Sequence, residues 1–173
     1  MRWKEASDQY CSVARAMAVL GDRWTLLIVR EAFAGVRRFD DFRTELGVAR
    51  NILTDRLKRL VDAGILEARQ YQDNPPRHEY RLTARGADLN AVLLSLMAWG
   101  DRWMAEEAGP PLLIEHTQCG HIIAPELHCP ECGGALTPRN VRLLNGPGLP
   151  QEVADARDEK LARLTKQRMR STK

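Results

Sequence analysis

From about Ser12 to Glu107 the apolar residues recur at helical spacing, interrupted once by a stretch of strict alternation. Val13, Ala16, Met17 and Leu20 predict a short first helix with Ser12 as its cap, and Gly21-Asp22 ends it. Leu27, Ile28 and the run Glu31-Ala32-Phe33 predict a second helix over Trp24–Phe33, closed by Gly35. Phe39, Phe42 and Leu46 share one face of a third helix, Phe39–Leu46, with Gly47 as its stop. Leu53, Leu57, Leu60 and Val61 give an inward face to a fourth helix, Asn51–Ala63, ended by Gly64. The period then drops to two. Ile65–Tyr71 reads as a strand, Asp73-Asn74-Pro75-Pro76 as a turn, and His78–Leu82 as the returning strand. Thr83 then caps a long last helix running to about Glu107, with Leu89, Val92, Leu93, Leu96 and Trp99 on its apolar side.

Two breaks divide what remains. Gly109-Pro110-Pro111 and the later Gly146-Pro147-Gly148 with Pro150 interrupt any regular pattern. The expected division is a unit over residues 8–107, an appendage over 112–145, and a charged tail over 151–173. The tail admits a frayed helix through Val153, Leu161 and Leu164, or disorder. The fold class is mainly α with a small β-hairpin, and its order of helix, short turn, helix and hairpin is that of a winged helix-turn-helix.

That order assigns chemistry to the fourth helix. The turn Gly47-Val48-Ala49 has the length such a pair needs, and Val48 suits a plug between the two helices. With the leucines inward, the outward side carries Asn51, Thr54, Asp55, Lys58 and Arg59, with Arg50 at the entrance. Asn can pair with adenine through two hydrogen bonds, Arg with guanine, and Thr can touch a thymine methyl. Arg50, Arg56, Lys58 and Arg59 add attraction to phosphates. Arg77 and His78 follow the Pro-Pro turn, where a stiff basic hairpin tip suits phosphates or a minor groove. Arg37 and Arg38 precede the third helix and could hold the nucleic-acid backbone. Double-stranded DNA is therefore the expected partner.

Composition bounds this reading without carrying it. Hydrophobic residues make up 44% and charged residues 28%, and the formal charge is only +3, so placement of the basic residues matters more than their number. No apolar run is long enough to span a bilayer, so no membrane role is expected. Met1-Arg2-Trp3-Lys4-Glu5 lacks the apolar core of a secretion signal, which makes the cytoplasm the expected location.

The residues also carry a resemblance. Cys11-Ser12-Val13, the run Gly21–Ile28, Arg38-Phe39-Asp40-Asp41-Phe42 and Ala49–Leu57 resemble the HxlR family of bacterial winged-helix regulators. So do Leu60–Leu66, Pro76–Thr83 and Trp99-Gly100-Asp101-Arg102-Trp103, covering residues 8 to 105 in order. The resemblance implies a homodimer joined by the first and last helices of the unit. It also implies control of transcription, in some members by a cysteine that senses thiol-reactive compounds. Cys11 matches that cysteine, although Ser12 stands where the family has proline. A thiol at a helix N-terminus is pushed toward the thiolate, and Lys4 or Arg15 could add to this; burial in a dimer core is the alternative.

The appendage holds three of the four cysteines and three of the four histidines. His116-Thr117-Gln118-Cys119-Gly120 and Cys129-Pro130-Glu131-Cys132-Gly133 share one spacing, the knuckle pattern of a zinc ribbon. His116, Cys119, Cys129 and Cys132 form a Cys₃His set for a structural zinc, the one cofactor expected. His121 could replace His116, His128 adjoins Cys129, and reduced cysteines or a Cys129–Cys132 disulfide are the alternatives without metal. Competing functions are a protein-interaction module built on ribbon and tail, or a zinc enzyme using Glu126 or Glu131. The latter lacks a His-Glu-x-x-His pattern and any nucleophile, base and oxyanion set, so no enzyme is expected.

Overall fold

The computed structural model describes residues 9–171, with side chains through Gln167. The expected start at Asp8, the suggested help from Lys4 and the last two residues of the tail lie outside the described residues. The chain runs α1 (Ser12–Leu20), α2 (Thr25–Phe33), α3 (Phe39–Leu46), α4 (Arg50–Asp62), β1 (Leu66–Gln72), β2 (Arg77–Leu82), α5 (Ala84–Ala87), α6 (Asn90–Met104), β3 (Ile114–His116), β4 (His121–Ile123) and α7 (Gln151–Ser171). It is mainly helical, with a small antiparallel hairpin of β1 and β2. Among the described residues no helix is long and apolar enough to cross a membrane.

One core organises α2, α3, α4 and the base of the hairpin. Ile28, Val29 and Ala32 of α2 meet Phe42 of α3, Leu53, Leu57 and Leu60 of α4, and Ile65 and Leu66 leading into β1. Each large side chain buried this way contributes roughly 1.5–3 kcal/mol. Val48 is 5% exposed, so the α3–α4 turn is plugged into this core as its apolar character required. Gly47 ends α3 at φ +59, a conformation that disfavours any residue with a Cβ.

Several local expectations are corrected. Ser12 is the first helical residue of α1; Cys11 occupies the cap, its carbonyl accepting the Arg15 N–H at 3.0 Å. Asp22 does more than end α1. Its Oδ1 accepts the N–H groups of Trp24 at 2.7 Å and Thr25 at 3.3 Å, capping α2 from the preceding turn. Thr83 caps a helix, but only the short α5: its hydroxyl accepts the Gly86 N–H at 3.1 Å and donates to the Gly64 carbonyl at 2.6 Å. A tighter turn at Asp88-Leu89, with the Leu89 N–H on the Gly86 carbonyl, then separates α5 from α6. α6 stops at Met104 because Ala105 turns extended, short of the expected Glu107.

The hairpin has a neighbour that periodicity did not reveal. Arg38 bridges Glu79 of β2, and the Tyr80 N–H donates to the Arg37 carbonyl at 2.8 Å, so the segment before α3 lines the outer edge of β2. The tail is helical through Ser171, and Arg157 ties it to the preceding loop by donating to the Leu143 carbonyl at 2.9 Å.

Candidate nucleic-acid interface

Burial of Leu53, Leu57 and Leu60 sets the rotation of α4 about its axis, and everything opposite follows. Asn51, Thr54, Asp55, Lys58 and Arg59 are exposed on the far side, and Arg50 stands at the entrance. The structure divides these residues by how free they are. The Thr54 hydroxyl donates back to the Arg50 carbonyl at 2.8 Å. Arg59 pairs with Asp55 at 2.9 Å, one turn away. Arg50 lies 3.6 Å from Asp40 and stacks 5.2 Å over the Phe39 ring. Asn51 and Lys58 have no comparable side-chain partner among the described residues, which leaves an amide and an ammonium facing solvent.

Arg56 corrects the expectation of a fourth phosphate-facing base on this helix. Its guanidinium contacts both Asp22 and Asp55, and its side chain is only 21% exposed. The acidic cap of α2 draws it away from the outer face, so it tethers α4 to the α1–α2 corner instead.

The hairpin and the α3 entrance meet the start of α4 around one cleft of about 550 Å³, lined by Arg38, Asp40, Arg50, Tyr71, Arg77 and His78 among others. β1 and β2 pair from Leu66↔Leu82 to Gln70↔His78, and a bulge then brings Gln72 opposite Arg77. Tyr71 is the residue left over at that bulge, and the Arg38 guanidinium lies 5.0 Å over its ring. Tyr80 packs edge-on to Phe42 at 6.5 Å, and burial pushes its phenol pKa up. Four of the expected basic contacts, Arg38, Arg50, Arg77 and His78, thus surround one concavity. Arg37 is half-buried behind it, its carbonyl engaged by β2. Tyr71 and Asp22 escaped the sequence reading. Asp22 carried a usable signal, an Asp directly before a helix start; Tyr71 carried none, because only the bulge turns it toward Arg38.

Away from this face, Cys11 is exposed and lines a cleft of about 480 Å³ with Arg15, the loop Leu143–Leu149 and Arg157. In the appendage, His116 Nδ1 and Cys119 Sγ are 3.1 Å apart. The backbone N–H groups of Cys132 and Glu131, with the Cys132 side chain, bond to the Cys129 sulfur and lower its thiol pKa. The two pairs are not brought together: among the described residues no three His, Cys, Asp or Glu side chains are grouped to hold a metal.

A plugged helix-turn-helix, a polar outward face on its second helix and a basic hairpin beside it define a winged-helix protein that binds DNA. The match to known proteins is specific. The model of the HxlR-like helix-turn-helix family fits residues 19–108, and the chain belongs to that family. Rv3095 of Mycobacterium tuberculosis, named an uncharacterized HTH-type transcriptional regulator, is 46% identical over 145 residues, 84% of this chain and 92% of the relative. The crystal structure of PA1607, a candidate transcription factor, is similar at a TM-score of 0.74 and 31% identity, covering 82% of this chain and 99% of that one. The oxidized form of HypR, a redox regulator, is similar at a TM-score of 0.51 and 29% identity over 56% of this chain and 100% of that one. The chain is a DNA-binding transcription regulator.

Proposed function

We propose that this regulator acts as a homodimer, setting two α4 helices into successive major grooves about one helical turn, roughly 34 Å, apart. The observation that carries this reading is an exposed apolar stripe. Val92, Leu96, Trp99 and Trp103 recur along α6 and are 46%, 50%, 57% and 70% exposed. Val13 and Met17 of α1 are exposed as well. A face of that size and character on a single chain marks a protein-association surface. A second copy of the same face is the occupant that also yields two recognition helices.

In this arrangement Asn51 reads a base edge, Lys58 and Arg50 hold phosphates beside it, and Arg77 and His78 carry the hairpin tip onto the adjoining backbone. Arg38 and Arg37 support that tip, Thr54 presents to the groove, and Asp55 orients Arg59 toward it. The protein does its work where the chromosome is, in the cytoplasm, and without a catalytic step. Cys11 is the element we assign to thiol-reactive signals, supported by its exposure at a helix N-terminus and by the likeness to HypR.

The test is a pair of measurements on the full chain. Sedimentation should give a dimer, and Trp99→Glu with Trp103→Glu should give monomers. Binding to DNA from upstream of its own gene should fall steeply with salt and exceed binding to random DNA by about a thousandfold. Monomeric wild-type protein that binds its site as a single subunit would overturn the proposal.

A further inference from the structure

The segment from Leu112 to Leu144 has no buried core of its own. Not one of its residues is buried, and its cysteines are free thiols. A piece of chain this small ordinarily needs a disulfide, a metal or a partner to hold one conformation. Its backbone nevertheless repeats one construction twice. The Gly120 N–H donates to the His116 carbonyl at 2.8 Å, and the Gly133 N–H donates to the Cys129 carbonyl at 2.8 Å. Gly120 and Gly133 sit at φ +70 and +69, so both turns close through a left-handed glycine. Turns of this shape fold their first and fourth side chains to one side, and both do so here. His116 Nδ1 is 3.1 Å from Cys119 Sγ, and the Cys132 side chain reaches the Cys129 sulfur.

We propose that His116, Cys119, Cys129 and Cys132 bind one zinc ion as a tetrahedral structural site that closes this segment. The separation within the first pair suits it. Zn–N of about 2.05 Å and Zn–S of about 2.3 Å at a tetrahedral angle place the two ligand atoms about 3.6 Å apart. The His116–Cys119 pair therefore needs to open by only about half an ångström. Backbone N–H groups aimed at the Cys129 sulfur supply the support that a metal-bound thiolate requires.

The structure also chooses among the histidines. His128 bridges Ala135 through its backbone, and its ring lies 3.6 Å from the Glu126 carboxylate. His121 pairs across the β3–β4 hairpin from His116, but His116 is the one beside a sulfur. The proposed site requires the ion to draw the two turns together across the 124–128 link, since among the described residues no three such side chains are grouped. Four protein ligands leave no position for a water, so the site gives order and no hydrolytic chemistry. This inference is independent of dimerisation and of DNA binding.

The test uses the full chain, purified under reducing conditions without chelator. Metal analysis should give about one zinc per chain. Replacement by Co²⁺ should produce the intense visible d–d bands and sulfur-to-metal charge transfer of tetrahedral thiolate coordination. Cys119→Ser and Cys132→Ser should each abolish those bands, while His121→Ala should keep them. Chelation should expose residues 112–145 to protease while DNA binding through the helical unit persists. Zinc near zero with all cysteines titrating as free thiols would overturn the proposal, as would metal retained in both serine variants.

Discussion

Gly86→Ala separates the influence of local propensity from that of tertiary contact by the sign of its effect. Gly86 lies within α5, where exchanging glycine for alanine ordinarily stabilises a helix by about 1 kcal/mol. Here an added Cβ would lie 2.2 Å from the Ile65 carbonyl oxygen and 3.0 Å from Leu82 Cδ2. Contact distance to a carbonyl oxygen exceeds this by about 1 Å, so the backbone must move. The Ile65 carbonyl also accepts the Thr83 N–H at 3.1 Å, and Thr83 caps α5 through the Gly86 N–H, so a shift disturbs both. Overpacking costs about 1–3 kcal/mol and a weakened cap about 1 kcal/mol. Against the propensity gain, the net is about 2 kcal/mol of lost stability, or a fall in Tm of roughly 4–8 °C. Thermal unfolding followed by circular dichroism measures it. An unchanged or higher Tm would refute the claim that the Gly86–Ile65 approach holds α5 against the base of the hairpin.

Other outcomes follow from the same geometry. Asn51→Ala should reduce discrimination between operator and random DNA by about 1–3 kcal/mol while leaving affinity for random DNA nearly unchanged, as competition binding would show. Lys58→Gln should weaken binding to all sequences and lower the slope of log K against log salt by about one. Arg59→Gln should do less, because Asp55 already offsets that charge at 2.9 Å. Phe42→Ala removes a fully buried ring that supports both α3 and Tyr80, and should cost about 3–5 kcal/mol in urea unfolding. Cys11→Ser should keep operator affinity and lose any release of DNA by diamide or quinone; an unchanged oxidant response would retire Cys11 as a sensor.

Periodicity and punctuation revealed much of the fold. The leucines of α4, the glycine after α3 and the alternation of β2 each act over a few residues, and each appears near its expected place. The same is true of the outward face of α4, since burying Leu53, Leu57 and Leu60 leaves Asn51 and Lys58 no other direction. The chain was less informative where an element's end depends on something distant. The long last helix breaks at Asp88-Leu89 because Thr83 and Gly86 are held against the Gly64–Ile65 backbone.

Amphipathic spacing, turn residues and a chain of family-like motifs were enough to establish a winged-helix regulator and to say which side of α4 meets solvent. Those signals are short-range, and short-range forces create them. Which charges remain available on that surface is a long-range matter. Asp22 removes Arg56, Asp40 engages Arg50, and the hairpin bulge sets Tyr71 beneath Arg38 only after the chain has folded back on itself. Ion pairs and stacked rings depend on distances of a few ångströms between residues far apart in the chain, and no spacing along the sequence encodes those distances.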